Sequence, residues 1–441
     1  MTACQKFLDV VPSTGNVNPS TIKDFQEMLN SDSLAICNFI LADLMSDDVT
    51  IGNAVQNEHY GNSYTWAANI WGPGEMDFMY KGAYNRILQM NILLEKASKL
   101  TPTIQEEKDA LAIVLAQAKI NRAWYYLQLA NIYGQDYTNG KADTELAVPI
   151  TLVPDASVKP VRSTVKEVYD QVIKDLTEAA NTEVLPVQGK TVIHPGKASA
   201  FAILARAYLF MGNYELALKN ADAALNLKST LTDYTKLQAI PMKLLDQNKN
   251  PEVLVGKAGL DQEFRLTYRL ELELSESLDS LFTDDDYRRT LTFNYYNEYL
   301  SEGINFNFNY SVGVPEVYLI KAECLARSGN AQSAIFILNN LRKNRISNYN
   351  NLAVPNEADV LKLVLEERRR ELSFHGGLRL FDQKRLNRDP RFRKKVIRKY
   401  FDYNEYEEVI VTSLEPNSPR YLMEIAPVII NNNDGIKPNP R

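Results

Sequence analysis

The chain has 441 residues, of which 45% are hydrophobic and 24% charged, proportions that are ordinary for a globular protein with ample residues for a core. The formal net charge of −6 argues against nucleic-acid binding, because affinity for phosphate backbones depends on clustered Lys and Arg. No stretch approaches the roughly 18 consecutive apolar residues that a transmembrane helix needs.

Short helices and turns are predicted up to about residue 75. The first helix begins near Ser20, where polar capping residues precede apolar residues that recur on one face. Three carboxylates follow at Asp43, Asp47 and Asp48. Their spacing matches no EF-hand loop, so we favour a helix-capping role over calcium binding.

Two segments combine Asn and Gly with aromatic residues, and both lie outside the clear helical patterns. Residues 53–75 show no helical period, so we predict a loop, and long aromatic loops in compact domains are commonly functional. Residues 293–311 alternate in part, which is equally typical of a hairpin at a sheet edge. Most of the 24 Tyr are expected in helix packing, although Tyr and Trp also suit sugar binding because they join a flat apolar face to a polar group.

Strong helical periodicity begins at Phe78. One long helix is predicted to about Leu100 and a second, antiparallel to it, over residues 104–133. A third begins after Ser163 or Thr164, either of which can cap it.

Residues 197–227 and 316–345 are two copies of one helix-turn-helix pattern of tetratricopeptide type. Each copy has small residues where the helices cross and a glycine in the turn, Gly212 in the first and Gly329 in the second. A long insertion separates the copies, so the chain is not a plain solenoid. Within the insertion, residues 260–274 alternate in part and predict short strands.

The segment Glu366–Arg385 is dense in both charge and aromatic residues. We predict a helix, a stop at Gly376 and Gly377, and a second short helix. Ion pairs within the first helix are expected between Glu366 and Arg369 or Arg370, and between Arg368 and Glu371. From composition alone, such a run usually forms a solvated surface. Its ion pairs and apolar residues fit a structural role better, in which the segment holds the last helices against the repeats.

The C-terminal part begins with a basic stretch, residues 385–399, which is followed by acidic residues 402–408 and is therefore expected to be balanced. Residues 403–413 predict a strand, and residues 421–430 an extended segment.

The residues that common catalytic motifs require are missing from the sequence. The three His form no metal-ligand pair, and there is no P-loop, GxSxG or GxGxxG motif. Carboxylate pairs are plentiful, but helical repeats are an unusual frame for a glycosidase. We therefore expect no enzyme activity, no cofactor and no metal.

The three Cys occur at positions 4, 37 and 324 and form no disulfide framework. Cys37 and Cys324 lie among apolar neighbours and are expected to be buried. Cys4 differs, because it follows small residues almost at the beginning of the sequence and precedes polar ones.

The charged segment resembles the C-terminal signature of the SusD/RagB family, the surface glycan- and nutrient-binding lipoproteins of Bacteroidetes-type bacteria. The matching residues are Glu367, Arg368, Arg369, Glu371, Leu372, Phe374, Gly376, Arg379, Asp382 and Arg385. His375 stands where the family usually carries Glu. The run from Arg122 to Gly134 and the ending from Tyr421 also resemble family patterns.

The resemblance implies a mostly α fold with tetratricopeptide-like helix pairs packed against a loop-rich irregular region that has a few short strands. Residues 1–441 would form a single domain. Residues 78–227 and 315–385 would be its helical part, and residues 5–77 and 228–314 its loop-rich ligand-binding part.

The function that the resemblance implies is non-catalytic binding of oligosaccharides or other polymer-derived nutrients, and their delivery to a SusC-like TonB-dependent transporter. The protein would lie exposed at the cell outer membrane. It would be anchored by a lipid on Cys4, because family members carry such a lipid on an N-terminal Cys.

By position in the family, the two aromatic segments would supply the ligand contacts. The candidates for stacking on sugars are Tyr64, Trp66, Trp71, Tyr295, Tyr296 and Tyr299, and those for sugar hydroxyls are Asn62 and Asn297. Trp71 has an equally good alternative, as a core residue beside the first long helix.

A second function stays open, namely a tetratricopeptide-type scaffold that binds a peptide or protein in its groove. It predicts tandem repeats without a large insertion and no N-terminal lipid site, and the sequence matches neither.

Overall fold

The structure is a computed structural model of the chain, and it describes residues 18–51, 59–155, 157–237, 250–260, 272–289, 307–402 and 406–441. In these ranges it has fourteen α-helices and nine short strands. The helices are α1 Ile22–Leu29, α2 Ile40–Leu44, α3 His59–Tyr64, α4 Phe78–Ala97, α5 Gln105–Tyr133, α6 Val165–Ala180, α7 Lys197–Phe210, α8 Tyr214–Leu227, α9 Glu276–Asp279, α10 Val314–Arg327, α11 Ala331–Arg342, α12 Glu357–Glu371, α13 Leu378–Leu386 and α14 Pro427–Asn432.

The long helices pack in sequence, each against the next, from α4 through α8 and then onto α10, which also contacts α11 and α12. The turns of the two predicted repeats are as expected. Gly212 between α7 and α8 and Gly329 between α10 and α11 have φ of 73° and 79°, values that glycine adopts without the strain of a Cβ. The mostly helical fold class is thus confirmed.

Helix starts follow local capping chemistry. Thr164 caps α6, and its hydroxyl accepts from the backbone N–H of Glu167, whose carboxylate in turn accepts from Thr164 N–H. The same reciprocal arrangement joins Thr21 and Asp24 at α1. The predicted α6 cap is therefore confirmed, and α1 begins just after the predicted Ser20.

The strands form small sheets beside the helices. They are β1 Ile36–Cys37, β2 Val49–Ile51, β3 Val253–Val255, β4 Ala258–Leu260, β5 Leu272–Leu274, β6 Asn307–Asn309, β7 Val312–Gly313, β8 Val396–Asp402 and β9 Glu407–Leu414. β4 lies between β1, with which it is parallel, and β6, with which it is antiparallel. The other sheets are the antiparallel pairs β2–β5, β3–β7 and β8–β9.

Of the strand predicted over residues 260–274, the structure describes the end, where β5 lies, and residues 261–271 lie outside the described residues. The strand predicted over residues 403–413 is found at β9. β6, at the end of the second aromatic segment, lies at the edge of its sheet. Two predictions were wrong. Residues 53–75 are not all loop, because α3 begins at His59, and the extended ending contains the short helix α14, which Pro427 starts because its fixed φ suits a first helical turn.

Most of the apolar core lies along the helix stack, and a smaller core sits where α1 packs on α4 and α5, around Phe25 and Leu29. Cys37 and Cys324 are buried, as predicted. Among the described residues, no helix combines the length and apolar character needed to cross a membrane.

Candidate functional site

The first aromatic segment turns its rings into the core. Tyr64, Trp66 and Trp71 are 2%, 1% and 4% exposed, so their faces are not available to a sugar in this conformation. Asn62 is half-buried, and its side-chain N–H₂ donates to the Ile70 carbonyl at 3.0 Å. For these three rings the structure contradicts the predicted stacking role.

The faces of Tyr64 and Trp66 are already occupied by the guanidinium of Arg398, a buried residue of β8. It lies 4.1 Å from the Tyr64 ring centre and 4.4 Å from that of Trp66, distances typical of cation–π contacts. The same group donates to four backbone carbonyls, those of Leu44, Ser46, Val49 and Tyr64. Arg398 thus joins this segment to the C-terminal hairpin.

Trp71 is a core residue beside the first long helix, which is the alternative that the sequence left open. Its ring stacks on His59 with centroids 5.4 Å apart and meets Phe78, the first residue of α4, edge-on at 6.0 Å. Its indole N–H donates to the carbonyl of Glu424 at 3.0 Å.

The remaining predicted site residues, Tyr295, Tyr296, Asn297, Tyr299 and Cys4, lie outside the described residues. For these five positions the structure neither supports nor opposes the prediction.

The charged segment is buried rather than solvated. Glu367 of α12 is fully buried and binds three guanidinium groups, those of Arg288 at 2.7 Å, Arg342 at 2.5 Å and Arg370 at 2.7 Å. Burial opposes the charged form, but these three cations outweigh it and hold the pKa of Glu367 well below its usual range.

A second group of charges joins α10, α12 and α13. Asp382 accepts from Arg368 and from Arg385, in each case at 2.8 Å. Arg385 also donates two hydrogen bonds to Glu323, at 2.6 and 2.8 Å, and Arg327 adds a third. Burial alone would raise the pKa of Glu323, but the charges of Arg385 and Arg327 outweigh burial and lower the pKa to about 2.

The N-terminal carboxylates bind the same segment from the other side. Arg379 donates two hydrogen bonds to Asp47, and Arg369 donates to Asp48 at 2.6 Å. Asp43 accepts from the backbone N–H groups of Gly376 and Gly377, in the turn just before α13. The capping prediction is therefore wrong for Asp47 and Asp48, which form ion pairs, while Asp43 binds the glycine turn at the start of α13.

Among the described residues, the ion pairs predicted within α12 are not found. Glu366 instead pairs with Lys362, at 3.9 Å, and Arg368 pairs with Asp382 rather than with Glu371. Sequence reasoning missed these long-range partners, as well as the buried pair of Arg206 and Glu316. A signal was present, because an acidic run at residues 43–48 complements a basic run in α12 and α13.

The buried network is suited to holding the chain together rather than to chemistry. Apart from Asp43, its carboxylates are engaged by guanidinium groups, and a guanidinium is a poor proton donor because its pKa is so high. His375 is half-buried nearby, and the loss of solvent around it lowers its pKa. Within the described ranges, no three His, Cys, Asp or Glu side chains converge as metal ligands.

Tetratricopeptide-like helix pairs, a large insertion that carries small sheets, and a buried arginine–carboxylate network together define a class of helical-repeat proteins. The chain belongs to the SusD/RagB family of that class. Residues 6–209 match a family model described as starch-binding and associating with the outer membrane, and residues 314–441 match the SusD family model.

Solved structures show the same fold. A SusD superfamily protein from Bacteroides thetaiotaomicron matches with a TM-score of 0.72 and 21% identity, over 96% of this chain and 100% of that chain. A SusD-like carbohydrate binding protein from Bacteroides vulgatus matches with a TM-score of 0.72 and 20% identity, over 95% of this chain and 98% of that chain. A SusD superfamily protein from Bacteroides vulgatus matches with a TM-score of 0.74 and 19% identity, over 96% of this chain and 99% of that chain. Among curated proteins, none matches the sequence significantly.

Proposed function

We propose that the protein binds oligosaccharides or other polymer-derived fragments at the cell surface, without cleaving them, and passes them to a SusC-like TonB-dependent transporter. The observation that carries the proposal is the family match, whose first model describes starch-binding proteins associated with the outer membrane. The absence of nucleophile, P-loop and metal-ligand motifs from the sequence supports a non-catalytic role.

The loop-rich part, residues 5–77 and 228–314, is proposed to hold the ligand. With Tyr64, Trp66 and Trp71 in the core, the stacking proposal rests on Tyr295, Tyr296 and Tyr299, and Asn297 is proposed to bind sugar hydroxyls. An exposed aromatic ring suits the apolar face of a sugar, and an amide both donates and accepts hydrogen bonds.

A carbohydrate panel tests this function. In calorimetry with neutral and acidic oligosaccharides, at least one is expected to bind, and chromatography is expected to recover it uncleaved. Tyr296→Ala should weaken that binding roughly three- to tenfold, the effect of losing one aromatic contact. Tyr406→Ala, at a tyrosine that is 81% exposed on the C-terminal hairpin, is the matched control and should leave affinity unchanged.

The panel also separates the two functions. Tight binding of unstructured peptides, with every glycan failing to bind, would favour the tetratricopeptide scaffold and sink the present proposal. Release of shortened sugars would contradict the non-catalytic role.

Cys4 is proposed to carry the lipid that anchors the protein to the outer membrane. A Cys4→Ala variant expressed in the native host should move from the membrane fraction to the soluble fraction, because a protein without its acyl chains loses their burial in the bilayer. The control variant, Cys37→Ala, should stay in the membrane fraction. If Cys4→Ala also stays there, Cys4 does not carry the anchor.

A further inference from the structure

A groove lies at the corner where α1 meets the turn between α4 and α5. Its volume is about 700 Å³, within the range of roughly 300 to 1,000 Å³ that small-molecule sites commonly have. One wall comes from the beginning of α1, and the other from residues 100–110. The groove is separate from both aromatic segments in sequence.

The floor of the groove is apolar and rests on the smaller core. Ile22 and Leu100 line it and also pack against the core around Phe25 and Leu29. Pro102 and Ile104 continue the apolar surface towards solvent, and Ile104 is 57% exposed. The helix corner therefore presents an apolar strip to solvent.

The rim of the groove is rich in groups that suit hydroxyls. Gln26 and Thr101 are exposed and bring an amide and a hydroxyl. Ile104, the N-cap position of α5, supplies no side-chain cap, so the first backbone N–H groups of that 29-residue helix have no side-chain acceptor there. Glu106 and Glu107 follow in the same turn and add acceptors.

The charges at the groove favour neutral ligands. The residues that line the groove include two carboxylates, Glu106 and Glu107, and one ammonium, that of Lys23, so the local balance is negative. An acidic sugar would bring like charges together, whereas a neutral sugar can use the same carboxylates as hydrogen-bond acceptors. A sugar ring also has apolar C–H faces for the floor and hydroxyls for the rim.

We propose that this groove is a second oligosaccharide-binding subsite, specific for neutral sugars and separate from the loop-rich site. The inference rests on the proposed function. A polymer that reaches both sites, through one long glycan or through two of its chains, would be held at two places. It would be retained longer than by either place alone.

Isoleucine methyl groups provide a local readout, because Ile22 and Ile104 line the groove. We would record methyl spectra of the whole protein, labelled at isoleucine, with maltoheptaose, cellohexaose, xylohexaose and hexagalacturonic acid. Neutral sugars that bind in calorimetry are expected to shift the Ile22 and Ile104 signals. The signals of Ile397 and Ile410, which are exposed on the C-terminal hairpin, should stay in place.

A substitution that preserves folding then tests the floor. Ile104→Asn removes the apolar side chain but places a preferred N-cap residue at α5, so α5 should not be weakened. The affinity read from Ile22 is expected to fall roughly tenfold, by the loss of one partly buried isoleucine contact. Ile410→Asn is the matched control, since Ile410 is 61% exposed, and it should have no effect.

The possible outcomes are distinct. If sugars bind in calorimetry but leave Ile22 and Ile104 unshifted, the groove is not a subsite and the proposed function stands. If hexagalacturonic acid shifts these signals as strongly as the neutral sugars do, the specificity for neutral sugars is wrong. If none of the panel binds, the proposed function fails and the subsite fails with it.

Discussion

Two neighbouring glutamates in α12 have opposite environments. The Glu367 side chain is fully buried among three guanidinium groups. That of Glu366 is 31% exposed, and its ion-pair partner within the described part of the chain is Lys362, at 3.9 Å. Glu367 therefore holds together parts of the chain that Glu366 does not touch. The residue type alone does not distinguish them.

We expect Glu367→Gln to lower the free energy of unfolding by about 3 to 5 kcal/mol, because it leaves buried guanidinium groups without their counter-charge. Glu366→Gln should change it by less than about 0.5 kcal/mol, since an exposed pair at this distance contributes little. Urea unfolding followed by circular dichroism measures both. Equal effects of the two substitutions would contradict the structural role of the network.

At the residue scale, the sequence predicted the importance of the charged segment but not its partners. Offsets of three and four residues predicted pairs within α12, yet Arg368 and Arg369 bind Asp382 and Asp48. Residues far apart in sequence meet only after the helices have packed, and no local spacing encodes that. For the same reason, Arg398 gave no sign that it would cover Tyr64 and Trp66.

At the scale of elements, the sequence predicted most of the long helices and the two glycine turns. Local chemistry decides these features, because caps, periodicity and positive φ all act over a few residues. The loop prediction over residues 53–75 was wrong at α3, which has only six residues and no clear apolar period of its own. Short helices depend on packing rather than on propensity.

Two glycines with similar backbone angles are expected to differ in tolerance. Gly329 has φ of 79° and no atom within 4 Å of an added Cβ, so Gly329→Ala should cost about 1 to 2 kcal/mol from backbone strain. Gly377 has φ of 87°, and an added Cβ would lie 2.7 Å from the Cβ of Ala42. Gly377→Ala should therefore cost about 1 to 3 kcal/mol more.

Thermal unfolding of the two variants measures the difference. If Gly329→Ala were as damaging as Gly377→Ala, the contact between the α2 region and the start of α13 would not be as close as the structure describes.

At the scale of the molecule, the two matched regions, residues 6–209 and 314–441, are joined by buried polar contacts. Arg206 of α7 binds Glu316 of α10, and Lys384 of α13 donates to the carbonyls of Asn131 and Gly134 at the end of α5. The general fold followed from the family resemblance. These connections did not, since they join residues more than 100 positions apart.

We expect the protein to lose stability in acid. Glu323 has its pKa lowered to about 2, so the unfolded chain takes up a proton at higher pH than the folded one. The stabilisation is fully present above the ordinary glutamate pKa, near 4.5, and is lost as the pH falls towards about 2, at about 3 kcal/mol for this residue.

Urea unfolding at several pH values between 7 and 2 checks this dependence. Glu323→Gln should be less stable than the wild type at pH 7, and its stability should fall less steeply between pH 4.5 and 2. A slope identical to that of the wild type would show that Glu323 does not carry this part of the acid sensitivity.

The burial of the aromatic segment also determines which optical signals can report on the protein. The sequence has three tryptophans, and all of them, Trp66, Trp71 and Trp124, are at most 4% exposed. Their emission should be that of indoles shielded from water and from soluble quenchers, and it will follow unfolding closely. A sugar that binds at the surface will leave this emission nearly constant, so a silent fluorescence titration is not evidence against binding.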